Sequence, residues 1–164
     1  MLLFKRLKMQ LDFLKDLWVS KMNNIENLYR QVIMEHYKSP RNKGLKGYPH
    51  VHIKNPSCGD DITVEAKIEN GKLEEIRHQG SGCSICCSSA SVLSEVLKGK
   101  TVEEANELIQ KFYAMMKGEE IDDPDDLDEA LVYEGVSKFP ARIKCATISW
   151  KALERLINGD NDEE

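Results

Sequence analysis

The apolar residues in the middle of the chain alternate with polar ones and predict a β-hairpin. Every second position from residue 62 to residue 68 is apolar, which is the period of a strand with one buried face. Asn70-Gly71 supplies a two-residue turn, after which residues 73–78 can return antiparallel. Residues 51–54 precede a further turn signal and predict another strand. Together these elements predict a three-stranded antiparallel sheet.

Apolar residues at helical spacing predict four helices around this sheet, with Tyr113 and Trp150 among the expected core residues. The signals for the helix ends are N-cap residues, a capping box, and Gly or Pro stops. The predicted helices start at Asn23 or Asn24 and stop at Pro40, run through Ala90 to Gly99, extend from Thr101 to about Lys117, and follow Pro140 up to Gly159 and an acidic tail. No internal repeat or linker separates the elements, so we predict an α+β fold with the helices packed on one side of the sheet.

Two segments do not fit this core pattern. Residues 118–128 are acidic, and we interpret them as a solvated loop because their spacing lacks the order of a calcium-binding loop. Residues 1–22 crowd apolar side chains among charges and predict an amphipathic helix. That helix could dock on a membrane surface or, the interpretation we favour, pack on the domain or a partner; translation starting at Met22 is a third alternative. We therefore assign residues 1–22 to an N-terminal extension and residues 23–164 to a single domain.

Composition limits the classes of function. The chain has 164 residues, of which 41% are hydrophobic and 31% charged, as is typical of a soluble globular protein. A formal net charge of -5 argues against nucleic-acid binding through phosphate contacts, because such binding needs clustered Lys and Arg. No apolar run approaches the roughly 20 residues of a transmembrane helix, so we expect a cytoplasmic protein with no membrane partner. In that reducing compartment, five cysteines favour metal binding or reactivity over disulfides.

Three of the cysteines lie at the ends of predicted elements. Cys58 follows a strand, Cys83 follows a Gly-Ser-Gly turn, and Cys145 lies near the start of the last helix. Side chains at such ends can converge without disturbing the packing, and helix N-termini stabilise thiolates. One glycine separates Cys58 from Asp60, so both can turn toward one ion, and three thiolates with a carboxylate form a ligand set that zinc accepts. The alternative is that each cysteine is a small buried apolar side chain.

Five sequence blocks extend this interpretation by resemblance. They are residues 28–37 (LYRQVIMEHY), 40–42 (PRN), 55–60 (NPSCGD), 82–85 (GCSI) and 138–146 (KFPARIKCA). In this order the blocks closely resemble the SufU proteins, a branch of the IscU/NifU scaffold family. The segment around residues 112–128 is typical of SufU, and Lys144 stands where an IscU protein has His. The resemblance therefore favours the SufU branch.

The resemblance implies an IscU/SufE-like fold and a zinc ion held by Cys58, Asp60, Cys83 and Cys145. It implies a sulfurtransferase for iron–sulfur cluster assembly, whose partners are a PLP-dependent cysteine desulfurase of the SufS type and downstream iron–sulfur assembly proteins. Cys58 would accept the persulfide sulfur, and Arg142 would be the basic group beside it. Two alternatives stay open. One is a non-catalytic scaffold on which the same thiolates hold a transient [2Fe–2S] or [4Fe–4S] cluster, and the other is a structural zinc protein.

Cys86 and Cys87 depart from the SufU pattern, which usually has a non-cysteine pair at these positions. On a helix that begins by Cys83 they lie three and four residues further on, so they could resolve a persulfide or widen the ligand set of a cluster. We favour packing as small apolar groups, because free cysteine is among the most buried residue types. Structural or surface roles are expected for the four histidines, His36, His50, His52 and His78.

Overall fold

Three antiparallel strands form the sheet of the protein, whose computed structural model describes the backbone of residues 2–160 and the side chains of residues 2–21 and 23–160. The strands are β1 (His50–Asn55), β2 (Asp60–Glu69) and β3 (Lys72–Ser81), in the order β1-β2-β3. Asn70 and Gly71 have φ values of 53° and 72°, the left-handed conformation that a two-residue turn between right-twisted strands requires. The predicted sheet is confirmed, and each strand extends one to three residues beyond its predicted ends.

Helices and one 3-10 segment make up most of the remaining described chain. They are α1 (Leu2–Lys38), α2 (Ser84–Val96), α3 (Val102–Met116), a 3-10 segment (Pro124–Lys138) and α4 (Pro140–Ile157). Thr101 is the N-cap of α3, where its Oγ1 accepts the Glu104 N–H at 3.1 Å, as the capping signal predicts. The 3-10 segment has a backbone kink at Asp128 and was not predicted. The tail beyond residue 160 lies outside the described residues.

The helices pack on one face of the sheet, where α4 lies against β1 and β2, and α2 lies against α4 and β3. Trp150 of α4 is fully buried and stacks on Phe112 of α3, with ring centroids 3.9 Å apart. Its Nε1–H donates to Ser89 Oγ at 3.0 Å, so the polar end of the indole is also satisfied. These contacts fix α4 to α2 and α3. The predicted α+β architecture is confirmed.

The structure corrects the prediction for the first helix. The backbone is helical from Leu2 to Lys38, so no N-cap interrupts it at Asn23 or Asn24. The predicted stop before Pro40 is correct, since the helix ends at Lys38. Residues 2–21 are exposed along their whole length, so this part of α1 does not pack on the domain. Packing on a partner, the other half of the interpretation that we favoured, stays a prediction. Within residues 2–160, no helix combines the length and apolar character that a membrane span requires.

Candidate metal centre

Two thiols and one carboxylate converge where the loop between β1 and β2 meets the start of α4. A ligand atom of Cys58, one of Asp60 and one of Cys145 all lie within 4.8 Å of one another. Cys58 is half-buried, whereas the other two residues are buried. Residues that are 87 positions apart in the chain therefore meet, because α4 packs on β1 and β2. The convergence of these three ligand atoms is consistent with a metal site.

The local backbone explains how Cys58 and Asp60 reach the same point. Gly59 between them has a φ of +69°, a conformation that glycine adopts without strain. The Cys58 N–H donates to the Asn55 carbonyl at 3.3 Å and closes the turn after β1. Asp60 then begins β2, paired with Asn55 across the sheet. The glycine spacer therefore lets the two side chains converge, as we predicted, and a shared ion stays a prediction.

Asp60 is the most constrained member of the group. Only 1% of its surface is exposed, and its Oδ1 accepts the Cys83 N–H at 3.0 Å. Its Oδ2 is buried and has no hydrogen-bond partner among the described residues. A buried carboxylate oxygen without a partner is costly, and a cation placed between it and the two thiols would remove that cost. The soft thiols beside one carboxylate suit zinc better than calcium or magnesium, which prefer oxygen ligands alone.

The junction of β3 and α2 forms the second wall of the site. Gly82 packs so closely on Asp60 that a Cβ at this position would lie 2.4 Å from Oδ1. Only glycine fits there, and we missed this role although the Gly-Ser-Gly turn was the available signal. Cys83 is the N-cap of α2 and is half-buried. Its Sγ is near Cys145 but is not part of the group of mutually close ligand atoms. Cys83 therefore stays a predicted ligand.

Arg142 brings a positive charge to the rim of this group. The hydrogen bond of its guanidinium with Cys145, together with the charges of Cys83, Cys145 and Cys58, raises the pKa of Arg142. Burial, and then the neighbouring side chains of Asp60, Cys58 and Cys83, raise the pKa of the Cys145 thiol. A bound cation would act in the opposite direction and favour the thiolates. Arg142 itself is exposed, so it can face an incoming partner.

Comparison with known proteins identifies the family. The model of the NifU-like N-terminal domain matches residues 28–146, which include all four predicted ligands and Arg142. The chain belongs to this family. It is 50% identical over 133 residues to the zinc-dependent sulfurtransferase SufU of Bacillus subtilis (strain 168), an alignment that covers 80% of this chain and 90% of the relative. The resemblance to SufU that the sequence blocks indicated is confirmed.

Two further relatives of the NifU-like chain place it in the wider group. The iron–sulfur cluster assembly scaffold protein IscU of Streptococcus pyogenes serotype M1 is 39% identical over 137 residues, covering 83% of this chain and 86% of the relative. A solved structure from the thermophilic Fervidobacterium islandicum AW-1, a candidate iron–sulfur cluster assembly scaffold protein for the SUF system, is 32% identical with a TM-score of 0.69. It covers 75% of this chain and 91% of that one. The fold predicted for an IscU-like protein is confirmed.

Cys86 and Cys87 of the NifU-like domain lie on the first turn of α2, outside the close group. Cys86 is fully buried in the core, as we predicted for both. Cys87 is only half-buried, and its Sγ lies 3.7 Å from the Gly82 carbonyl oxygen. Cys87 is thus less buried than the packing interpretation allowed.

The structure gives three of the four histidines polar partners away from the metal centre. His36 Nδ1 and Ser91 Oγ are 2.7 Å apart, and His78 Nε2–H donates to the Arg41 carbonyl at 2.7 Å. His52 pairs with Asp61 on the surface. Among residues 2–160, no histidine belongs to the group of close ligand atoms. The structural and surface roles expected of these three are confirmed.

Proposed function

We propose that this chain is a zinc-dependent sulfurtransferase that accepts persulfide sulfur from a SufS-type cysteine desulfurase for iron–sulfur cluster assembly. The observation that carries the proposal is the buried, unpartnered Asp60 oxygen beside the thiols of Cys58 and Cys145. It occurs in a chain that is 50% identical to a zinc-dependent sulfurtransferase. The expected location is the cytoplasm, where reduced thiols are maintained.

The proposed zinc ligands are Cys58, Asp60, Cys83 and Cys145. Three of them supply atoms within 4.8 Å of one another, and the fourth, Cys83, already holds Asp60 through its N–H. When bound, zinc keeps the thiolate forms stable at neutral pH and adds its binding free energy to folding. The Asp60 Oδ2 is the carboxylate oxygen available to bind the ion, because it has no hydrogen-bond partner among the described residues.

Cys58 is the proposed sulfur acceptor because it is the half-buried thiol of the close group, whereas Cys145 is fully buried. Its Sγ lies 3.9 Å from the Ala141 carbonyl oxygen, one residue before Arg142. In the proposed reaction, the Cys58 thiolate attacks the outer sulfur of the persulfide on the desulfurase. An S–S bond forms at Cys58 as the S–S bond on the partner breaks, and the partner cysteine leaves as a thiolate. The exposed Arg142 guanidinium stabilises the attacking thiolate.

The decisive experiment combines metal content with stimulation of a purified SufS-type cysteine desulfurase. The purified protein should be colourless and contain about one zinc per chain. Cys58→Ala should abolish the stimulation of cysteine turnover, because the acceptor sulfur is gone. Arg142→Ala should weaken the stimulation while leaving the fold intact, since its side chain is exposed. A brown protein with iron and sulfide would instead support the scaffold alternative.

A matched pair of carboxylates tests the metal ligand. Asp60→Ala should lose zinc and lower the free energy of unfolding, because metal binding contributes to folding. Asp61→Ala is the control, since the Asp61 side chain pairs on the surface with His52 and Lys54, and such exposed ion pairs contribute little. If both variants retain zinc equally, Asp60 is not a ligand. If Cys58→Ala stimulates the desulfurase as well as the wild type does, the acceptor role is wrong.

A further inference from the structure

The first turn of α2 carries a thiol that the proposed reaction does not use. Cys87 is half-buried, whereas Cys86 beside it and Cys145 in the close group are fully buried. A thiol must reach the surface of the site to exchange sulfur with a neighbour. Among these three cysteines, only Cys87 meets that condition.

Backbone and side-chain contacts tie Cys87 to the same end of the molecule as the metal centre. The Cys87 N–H donates to the Cys83 carbonyl at 3.1 Å, which places Cys87 one helical turn from the N-cap and on its face. The Cys87 Sγ lies 3.7 Å from the carbonyl oxygen of Gly82, the residue that packs on the Asp60 carboxylate. One residue, Gly82, thus separates the Cys87 thiol from a predicted ligand.

On this basis we propose that Cys87 is a second sulfur acceptor, which takes the outer sulfur of a persulfide on Cys58. The proposal rests on the proposed function, because Cys58 must first be loaded. A persulfide extends the Cys58 side chain by about 2 Å, the length of an S–S bond. Gly82 lies between the Asp60 carboxylate of the close group and the Cys87 thiol. Cys87 would hold the sulfur in a half-buried place while Cys58 becomes free for another round.

The transfer balances without any further reactant. The Cys87 thiolate attacks the outer sulfur of the Cys58 persulfide, an S–S bond forms at Cys87, and the S–S bond at Cys58 breaks. Cys58 leaves as a thiolate and takes up the proton that Cys87 gave to solvent. One S–S bond replaces another, so nothing is oxidised or reduced overall.

Mass spectrometry on the full chain with bound zinc tests the transfer. The protein is loaded by a SufS-type desulfurase and L-cysteine, alkylated at successive times and digested with trypsin. Cleavage after Lys and Arg puts Cys58 in the peptide of residues 55–67 and Cys145 in that of residues 145–151. The peptide of residues 78–98 holds the other three cysteines, and its fragment ions distinguish position 87. We expect the added sulfur on Cys58 first and on Cys87 later.

Variants of the two adjacent cysteines provide a matched control. Cys87→Ala should lose the later signal and accumulate sulfur on Cys58, while its zinc content stays at the wild-type level. Cys86→Ala should keep both signals; Cys86→Ser replaces it if the buried alanine variant does not fold. Cys58→Ala, or Cys58→Ser, should lose sulfur at position 87 as well, because the donor is gone.

The possible failures are distinct. If Cys87 is freely alkylated and sulfur appears on Cys58 but never on Cys87, the role of Cys87 as second acceptor is wrong. The proposed function would still stand in that case. Sulfur on Cys87 at the wild-type level in Cys58→Ala would show that Cys58 is not the donor and would overturn the transfer. Zinc loss in Cys87→Ala would make Cys87 a ligand instead of an acceptor. An unloaded Cys58 in the wild type would contradict the proposed function itself.

Discussion

The two tryptophans of the chain lie on helices with opposite surroundings. Trp18, in the first half of α1, is 66% exposed, and the apolar residues around it are exposed as well. Trp150, in α4, is fully buried, stacks on Phe112 and donates a hydrogen bond to Ser89. Both residues belong to segments where apolar side chains recur at helical spacing. The same sequence signal thus accompanies a projecting helix in one case and the centre of the core in the other.

The difference shows that helical spacing predicts a helix but not the surface that covers it. α4 is buried because the sheet, α2 and α3 each present an apolar face to it. Its rigid position carries over to the chemistry, since Cys145 lies on this helix, one turn and a half before Trp150. Residues 2–21 meet no such surface in the described chain and contribute nothing to the metal centre.

Replacing each tryptophan in turn should give the largest difference in the free energy of unfolding between the two regions. Trp150→Ala removes a large buried side chain and should lower the free energy of unfolding by about 3–5 kcal/mol. Trp18→Ala should change it by less than about 0.5 kcal/mol, as is usual for surface positions. Denaturant unfolding followed by circular dichroism measures both values without relying on tryptophan fluorescence. Equal destabilisation by the two variants would mean that the first half of α1 packs on the domain after all.

Features that adjacent residues determine could be predicted from the sequence, whereas features that depend on distant residues could not. The hairpin turn at Asn70-Gly71 and the Thr101 cap are local, and both were predicted because a few adjacent residues determine them. The uninterrupted α1 was not, since an asparagine can cap a helix or lie within one. The 3-10 segment was missed because its kink at Asp128 has no local signal that we could identify.

The candidate site follows the same rule. The glycine between Cys58 and Asp60 made their convergence predictable from three residues, whereas the meeting with Cys145 depended on how α4 packs. The Gly-Ser-Gly turn marked Gly82 as a special position, but its close contact is with Asp60, which is distant in sequence, so spacing could not reveal the partner. Resemblance to SufU supplied the long-range ligand set that spacing left open.

The contact of Gly82 with Asp60 predicts a loss of stability smaller than that of Trp150→Ala. Gly82→Ala would place a Cβ 2.4 Å from Asp60 Oδ1, and relieving this overlap should cost about 1–3 kcal/mol of stability. Because the carboxylate must move, zinc retention against a chelator should fall as well. Competition with a colorimetric zinc chelator measures the loss.

Gly135 provides the matched control for this substitution. A Cβ at Gly135 would meet nothing within 4 Å, so Gly135→Ala should retain zinc and be as stable as the wild type, or more stable by up to about 1 kcal/mol. If Gly82→Ala binds zinc as tightly as Gly135→Ala does, the position of the Asp60 carboxylate is not critical for the metal.

His78 gives a smaller, pH-dependent effect where the end of α1 meets the sheet. Burial, opposed by the hydrogen bond to the Arg41 carbonyl and aided by the charges of Lys43 and Arg77, lowers the pKa of His78. The unfolded chain, with a histidine pKa of about 6.5, therefore binds a proton before the folded one does. Stability should decrease as pH falls below about 6.5, by at most about 1.4 kcal/mol per pH unit. The slope should be smaller in His78→Gln; equal slopes would contradict this assignment.

Removing the first half of α1 should have the smallest effect of all. The described residues that a chain beginning at Met22 would lose, residues 2–21, are all exposed, so its free energy of unfolding should stay within about 0.5 kcal/mol of the full chain. Its zinc content should not change. A longer deletion that also removes His36 should be clearly destabilising, because His36 is buried and bonded to Ser91 of α2. Thermal unfolding of the three chains compares them directly. If the short deletion lowers stability by as much as the long one, the boundary between extension and domain does not lie near Met22, since the helix would then stabilise the core along its whole length.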